Sequence, residues 1–147
     1  MSQIQDKIWI GSYEDAMNQK FLNERKIEHI LCCAEEFKDI SYNLLISNKS
    51  NQWYRVPIVD NVVDHTTADK FKEGAMKINE WVEAGHRVIV HCFLGMSRSV
   101  STVIAYLMIY KGWSFNIAFN HVSFRRPQTN IYPEFLPILK GLNTPHY

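Results

Sequence analysis

Cysteine is scarce in this chain. Three residues, two of them adjacent, are too few for a disulfide framework, so a reducing cytoplasm or nucleus is expected. An excess of one charge is also lacking, and the net charge of +1 gives no general attraction to nucleic acid or anionic lipid. No secretory leader opens the sequence, residue 2 is Ser rather than a myristoylated Gly, and the final Thr144-Pro-His-Tyr147 is no prenylation box. The apolar run from Val100 to Tyr110 is too short for a bilayer and is interrupted by Ser101 and Thr102, so it reads as a core helix. Repeats, linkers and low-complexity tracts are missing as well. What remains is one domain over residues 1–147, with 46% hydrophobic and 21% charged residues, enough to enclose a core.

Strand and helix signals alternate along it. Lys7 to Ile10 reads as a strand closed by Gly11, and Ser12-x-x-Asp15 as the capping box of a helix to about Arg25. Ile27 to Cys33 and Trp53 to Val59 read as strands, the second with Pro57 marking an edge or an end. Between them, Lys38 to Asn51 is a polar surface excursion. Thr66-x-x-Asp69 is expected to cap an amphipathic helix that presents Phe71, Ala75, Ile78, Trp81 and Val82 and ends at Gly85. A strand over 87–91, a helix over 99–111, a Ser114-capped helix to Arg125, and a last helix with Pro133 in its first turn complete the pattern. The alternation predicts an α/β fold: three layers, with a central, largely parallel twisted sheet flanked by helices. Trp9, Trp53, Trp81 and Trp113 are spread along the chain and read as core rather than as a stacking platform for bases.

The chain is organised around Val88 to Val100: a β-branched strand, a loop over Cys92 to Ser97, then the apolar helix. A loop at a helix N-terminus turns its N–H groups and the helix dipole toward one point, which makes an anion site. Gly95 permits the tight turn, and Arg98, six residues after Cys92, offers a planar fork matching two phosphate oxygens. A cysteine below such donors is held as the thiolate, the form that attacks. A phosphate cradle of Phe93, Leu94, Gly95, Met96, Ser97 and Arg98 over a nucleophile is the pattern of a phosphatase.

The segment His91-Cys92-x-x-Gly95-x-Ser97-Arg98-Ser99 resembles the signature loop of the cysteine-based protein phosphatases, in their dual-specificity branch. The resemblance extends to Ile8-Trp-Ile-Gly-Ser12, Ile27-Glu-His-Ile-Leu31, Ala105-Tyr-Leu-Met108 and Phe124-Arg-Arg-Pro127. It departs at Ile131-Tyr-Pro-Glu-Phe135, where the family usually has Pro-Asn-x-Gly-Phe. The resemblance implies a small single-domain enzyme that acts without cofactor or metal on phosphorylated proteins, with no nucleic-acid or membrane partner, as a cytoplasmic or nuclear monomer. The long tyrosine-recognition segment of tyrosine-only relatives is absent, which implies a shallower pocket open to phosphoserine and phosphothreonine.

In the roles so implied, Cys92 is the nucleophile and Arg98 holds the phosphoryl oxygens. Ser99 hydrogen-bonds the sulfur, or simply caps the helix. His91 supports the loop backbone, since adjacent strand residues face opposite ways and a Cys–His pair is poorly placed. Asp60 is the general acid by alignment, with Asp64 four residues on as the substitute. Cys32 and Cys33 read as small core residues. Some relatives carry a thiol at this strand end that captures the oxidised nucleophile, and Cys33 is the candidate redox partner. Arg125 and Arg126 are read as a helix-ending pair or as contacts to an acidic substrate. A phosphoinositide or RNA 5′-phosphate substrate is disfavoured by the lysine-free loop and the lack of a basic stripe. A silent phospho-binding module is disfavoured by the intact Cys92, Arg98 and acid.

Overall fold

The computed structural model describes residues 1–42 and 50–142. Half of the polar excursion predicted over 38–51, residues 43–49, therefore lies outside the described residues. The strands are β1 (Ser2–Gln5), β2 (Ile8–Gly11), β3 (His29–Cys32), β4 (Gln52–Arg55) and β5 (Val88–His91). The helices are α1 (Tyr13–Met17), α2 (Gln19–Glu24), α3 (Thr67–Glu83), α4 (Arg98–Lys111), α5 (Phe115–Arg125) and α6 (Phe135–Lys140).

The sheet runs β1-β2-β5-β3-β4, parallel throughout except for β1, which pairs antiparallel with β2. The expected α/β architecture is present. Alternation along the strands divides the core in two. Ile8, Ile10, Leu31, Val88 and Val90 face the large core under α3–α6, while Trp9, Ile30 and Ile89 face the smaller one under α1 and α2. Helix α4 lies at the centre, buried from Arg98 through Met108, and α3 crosses it closely at Gly74. A Cβ there would stand 2.5 Å from Thr102 Cγ2, so only glycine fits.

Several boundaries differ from the sequence reading, each for a local reason. Strand β1 was not predicted because Ser-Gln-Ile-Gln carries a single core residue, Ile4. The helix expected from Ser12 to Arg25 keeps its capping box but splits at Asn18, whose Oδ1 accepts from Phe21 N at 3.2 Å and starts a new helix. Strand β4 stops at Arg55 rather than Val59, because Pro57 has no N–H to continue the ladder. Thr66 makes no side-chain cap; its hydroxyl goes to Asp64 instead. Pro133 lies before α6, not in its first turn. Trp9 and Trp81 are core, but Trp53 on the edge strand is exposed and Trp113 is half-buried. Among the described residues no helix is long and apolar enough to cross a membrane.

Candidate active site

The carboxyl ends of β5 and β3 deliver the chain to one edge of the sheet, the edge where parallel sheets leave a crevice. There Cys92, Phe93, Leu94, Met96, Ser97 and Arg98 line a cavity of about 240 Å³, with Asp60, Asn61 and Asn130 completing its wall. Ser97 takes the N-cap position of α4, but its hydroxyl accepts from Tyr132 N at 2.9 Å rather than capping the helix. The helix starts at Arg98, so Ser99 belongs to its first turn and is not a cap.

Hydrogen bonding of the loop is one-sided. Each carbonyl from Cys92 to Ser97 has a donor behind it. Cys92 O accepts from His91 Nδ1 at 2.9 Å, and Phe93 O from Tyr13 N at 2.8 Å. Arg126 serves Leu94 O through Nη2 at 3.4 Å and Gly95 O through Nε at 2.5 Å. Asn130 N serves Met96 O at 2.9 Å, and Ser101 N serves Ser97 O at 2.8 Å. Among the described residues, by contrast, the N–H groups of Phe93 to Ser97 have no acceptor. The peptide planes thus turn their positive ends into the cavity. Gly95 makes this possible: its φ is +69°, and a Cβ would collide with Gly11 O and stand 2.7 Å from Arg126 Nη2.

At the cavity floor, Cys92 Sγ lies 3.2 Å from Ser99 Oγ. Arg98 is buried and gripped by Glu36, Nη1 to Oε1 at 2.6 Å and Nη2 to Oε2 at 2.8 Å, with Ile58 O taking Nη1 at 3.1 Å. Its Nε is 3.9 Å from Asp60 Oδ1. Burial, the largest single influence, would lower the Arg98 pKa, but the hydrogen bonds to Glu36 and the negative charges of Cys92, Glu36 and Asp60 together outweigh it and the net shift is upward. The same hydrogen bonds from Arg98 hold Glu36 below the ordinary carboxylate range. Asp60 stands at the rim with its side chain 56% exposed, whereas Asp64 is outside the cavity wall. Asp64 accepts from Thr66 N at 2.7 Å and Thr66 Oγ1 at 2.6 Å, which ties it to the start of α3.

His91 points away from the thiol. A carbonyl only accepts, so Nδ1 carries the proton given to Cys92 O, and Nε2 accepts from the Tyr42 hydroxyl at 2.7 Å. Burial, helped by the charge of Arg98, pushes its pKa down to about 4, leaving a neutral ring. The two strand cysteines divide between the faces in a way the sequence reading did not anticipate. Cys33 turns into the large core beside the Thr102 hydroxyl, with its thiol pKa pushed up by burial. It is Cys32 that forms a small cluster with Ala34 and Cys92.

Sequence reasoning missed Glu36, Asn130, Tyr42 and the true position of Arg126. Of the Arg125–Arg126 pair, only Arg125 is exposed; Arg126 is buried behind the loop and cannot meet a substrate. The only signal for Glu36 was a pair of acids just after the β3 strand end, with nothing to choose it over Glu35.

The family model for the dual specificity phosphatase catalytic domain matches residues 8–143. Dual specificity protein phosphatase 1B of Arabidopsis thaliana is 34% identical, over 95% of this chain and 80% of its own length. Dual specificity protein phosphatase 1 of the same plant is 31% identical, over 96% of this chain and 68% of its own. The crystal structure of human DUSP28 superposes with a TM-score of 0.83 over 97% of this chain and 91% of that one; at 22% identity this speaks for the fold alone.

Proposed function

We propose that this chain, which belongs to the dual specificity phosphatase family and dephosphorylates tyrosine and serine or threonine side chains of proteins, does so through a phosphocysteine on Cys92. The one-sided hydrogen bonding of the catalytic loop carries this reading. A row of N–H groups without acceptors, closed by a buried guanidinium, matches the oxygens of a phosphoryl group and little else.

In the first step the Cys92 thiolate attacks phosphorus in line with the departing oxygen. The loop amides and Arg98 stabilise the charge spread over the phosphoryl oxygens. As the P–O bond breaks, the Asp60 carboxyl gives its proton to the leaving alkoxide or phenoxide, for which its exposed place at the rim suits it. In the second step the Asp60 carboxylate takes a proton from a water that attacks phosphorus. The P–S bond breaks, the Ser99 hydroxyl hydrogen-bonds the departing sulfur, and inorganic phosphate leaves. Glu36 orients Arg98 without touching substrate, and His91 and Arg126 hold the loop open from behind.

The test is turnover of p-nitrophenyl phosphate and of phosphopeptides with a chelator present. Wild type should turn over both, and Cys92→Ser should turn over neither while still binding phosphate. Activity in a verified Cys92→Ser protein would overturn the phosphocysteine mechanism.

A further inference from the structure

We propose that the groove between α5 and α6 is a second substrate subsite, which takes an apolar side chain of the phosphoprotein from the residues flanking its phosphorylated one. The groove encloses about 470 Å³, against 240 Å³ for the catalytic cavity. Phe115, Phe119, Ile131 and Leu136 give it apolar walls, and the two phenylalanine rings stack with centroids 5.6 Å apart. Asn116, Asn120, Thr129 and Asn130 form the rest of the lining, and Lys140 Nζ stands 5.4 Å from the centre of the Phe115 ring.

Continuity with the catalytic cavity identifies the occupant. Asn130 lines both cavities, and its backbone N–H is bonded to Met96 O of the catalytic loop. The two sites therefore share a wall at a fixed separation. A protein substrate with its phosphate in the cradle places its flanking residues on the surface around the catalytic cavity, to which the groove is joined through Asn130. A leucine or similar side chain reaching the groove would exchange water for two aromatic and two aliphatic walls.

This subsite rests on the phosphatase reading above, so the experiment separates the two. Wild-type kinetics are measured on p-nitrophenyl phosphate and on one phosphopeptide in which a single leucine is walked through the positions on either side of the phosphoresidue, serine replacing it elsewhere. Failure to turn over any substrate would count against the phosphatase mechanism. With turnover present, leucine at one position should lower KM about tenfold with kcat little changed. In Phe119→Ala and Leu136→Ser that advantage should shrink to about twofold, with p-nitrophenyl phosphate, too small to reach the groove, reporting an intact catalytic cavity. No positional preference in wild type overturns the subsite. So does a preference that persists undiminished in either variant, because the leucine would then be bound elsewhere.

Discussion

The front and the back of the catalytic loop each hold a buried arginine, and the two live in opposite surroundings. Arg98 and Arg126 are both 2% exposed. At the front, Arg98 is paired with a carboxylate and its pKa is raised. At the back, Arg126 meets only neutral oxygens, of Gly95, Leu94, Ile10 and Ser2, and burial lowers its pKa. The difference follows from the peptide group itself, which carries its donor and acceptor on opposite ends. A loop that turns its N–H groups forward to meet an anion must turn its carbonyls backward, where they need donors in a dry place. Arg126, His91 and three backbone N–H groups supply them. In the proposed mechanism one guanidinium serves the substrate; the other serves the loop that would bind it.

That contrast can be broken from the front first. Arg98→Ala should lower kcat on the order of 10³- to 10⁵-fold, as for other arginines that stabilise a phosphoryl transition state. Its melting temperature should move little, because Glu36 is partly exposed and can be rehydrated. A comparable activity in Arg98→Ala and wild type would remove the front arginine from the chemistry.

Asp60→Asn sharpens the same side. Steady-state rates should fall about 10²- to 10⁴-fold for phosphoserine peptides, whose leaving group needs a proton, and far less for p-nitrophenyl phosphate. Asp64→Asn should not show this leaving-group dependence, since Asp64 is bound to Thr66 and lies outside the cavity wall. If Asp64→Asn shows it and Asp60→Asn does not, the acid has been assigned to the wrong carboxyl.

At the back the effect should move from rate to stability. Arg126→Met leaves buried carbonyls without donors, at a cost of about 3 kcal/mol, or roughly 10 °C in melting temperature. Calorimetry beside kinetics at low temperature checks this. A variant with unchanged melting but a rate loss matching that of Arg98→Ala would erase the distinction between the two sides.

The smallest effect expected is a pH dependence from the same back wall. His91 has its folded pKa lowered from 6.5 to about 4. Between those values the unfolded chain binds a proton that the folded chain refuses, so stability is full above about pH 6.5 and declines as pH falls toward 4. His29, also lowered by burial, adds to the slope with the same sign. Melting curves across this range should show the decline, and His91→Gln should flatten it. An unchanged slope in that variant would place the titrating groups elsewhere.

Much of this was legible in the sequence because it is local. The β-branched run of Val88 to Val90 marks a strand buried on both faces, Ser12 and Ser114 stand immediately before the helices they cap, and the spacing of Cys92, Gly95 and Arg98 encodes a loop whose shape depends on its own backbone. Asp60 entered through the family resemblance, and the structure sets it in the cavity wall beyond the end of β4. The boundaries that slipped were places where one residue decides between near-equal local options: Asn18 starting a second helix turn, Pro57 ending a ladder, Ser-Gln-Ile-Gln pairing as an edge strand with one core residue.

Only the tertiary structure decided which distant groups complete the site. Glu36 is 62 residues from the arginine it orients, and Arg126 is 31 from the glycine carbonyl it holds. In the sequence Glu36 is equivalent to Glu35, Arg126 to Arg125, and Cys33 to Cys32. The members of each pair are adjacent in the chain, and a single residue step turns a side chain from one environment to the other: Arg126 into the protein and Arg125 to water, Cys32 toward Cys92 and Cys33 into the large core. The chemistry of the loop is therefore set by its own residues in order. Its support is set by whichever donors and carboxylates the packed helices bring to it, and no spacing along the chain encodes that meeting.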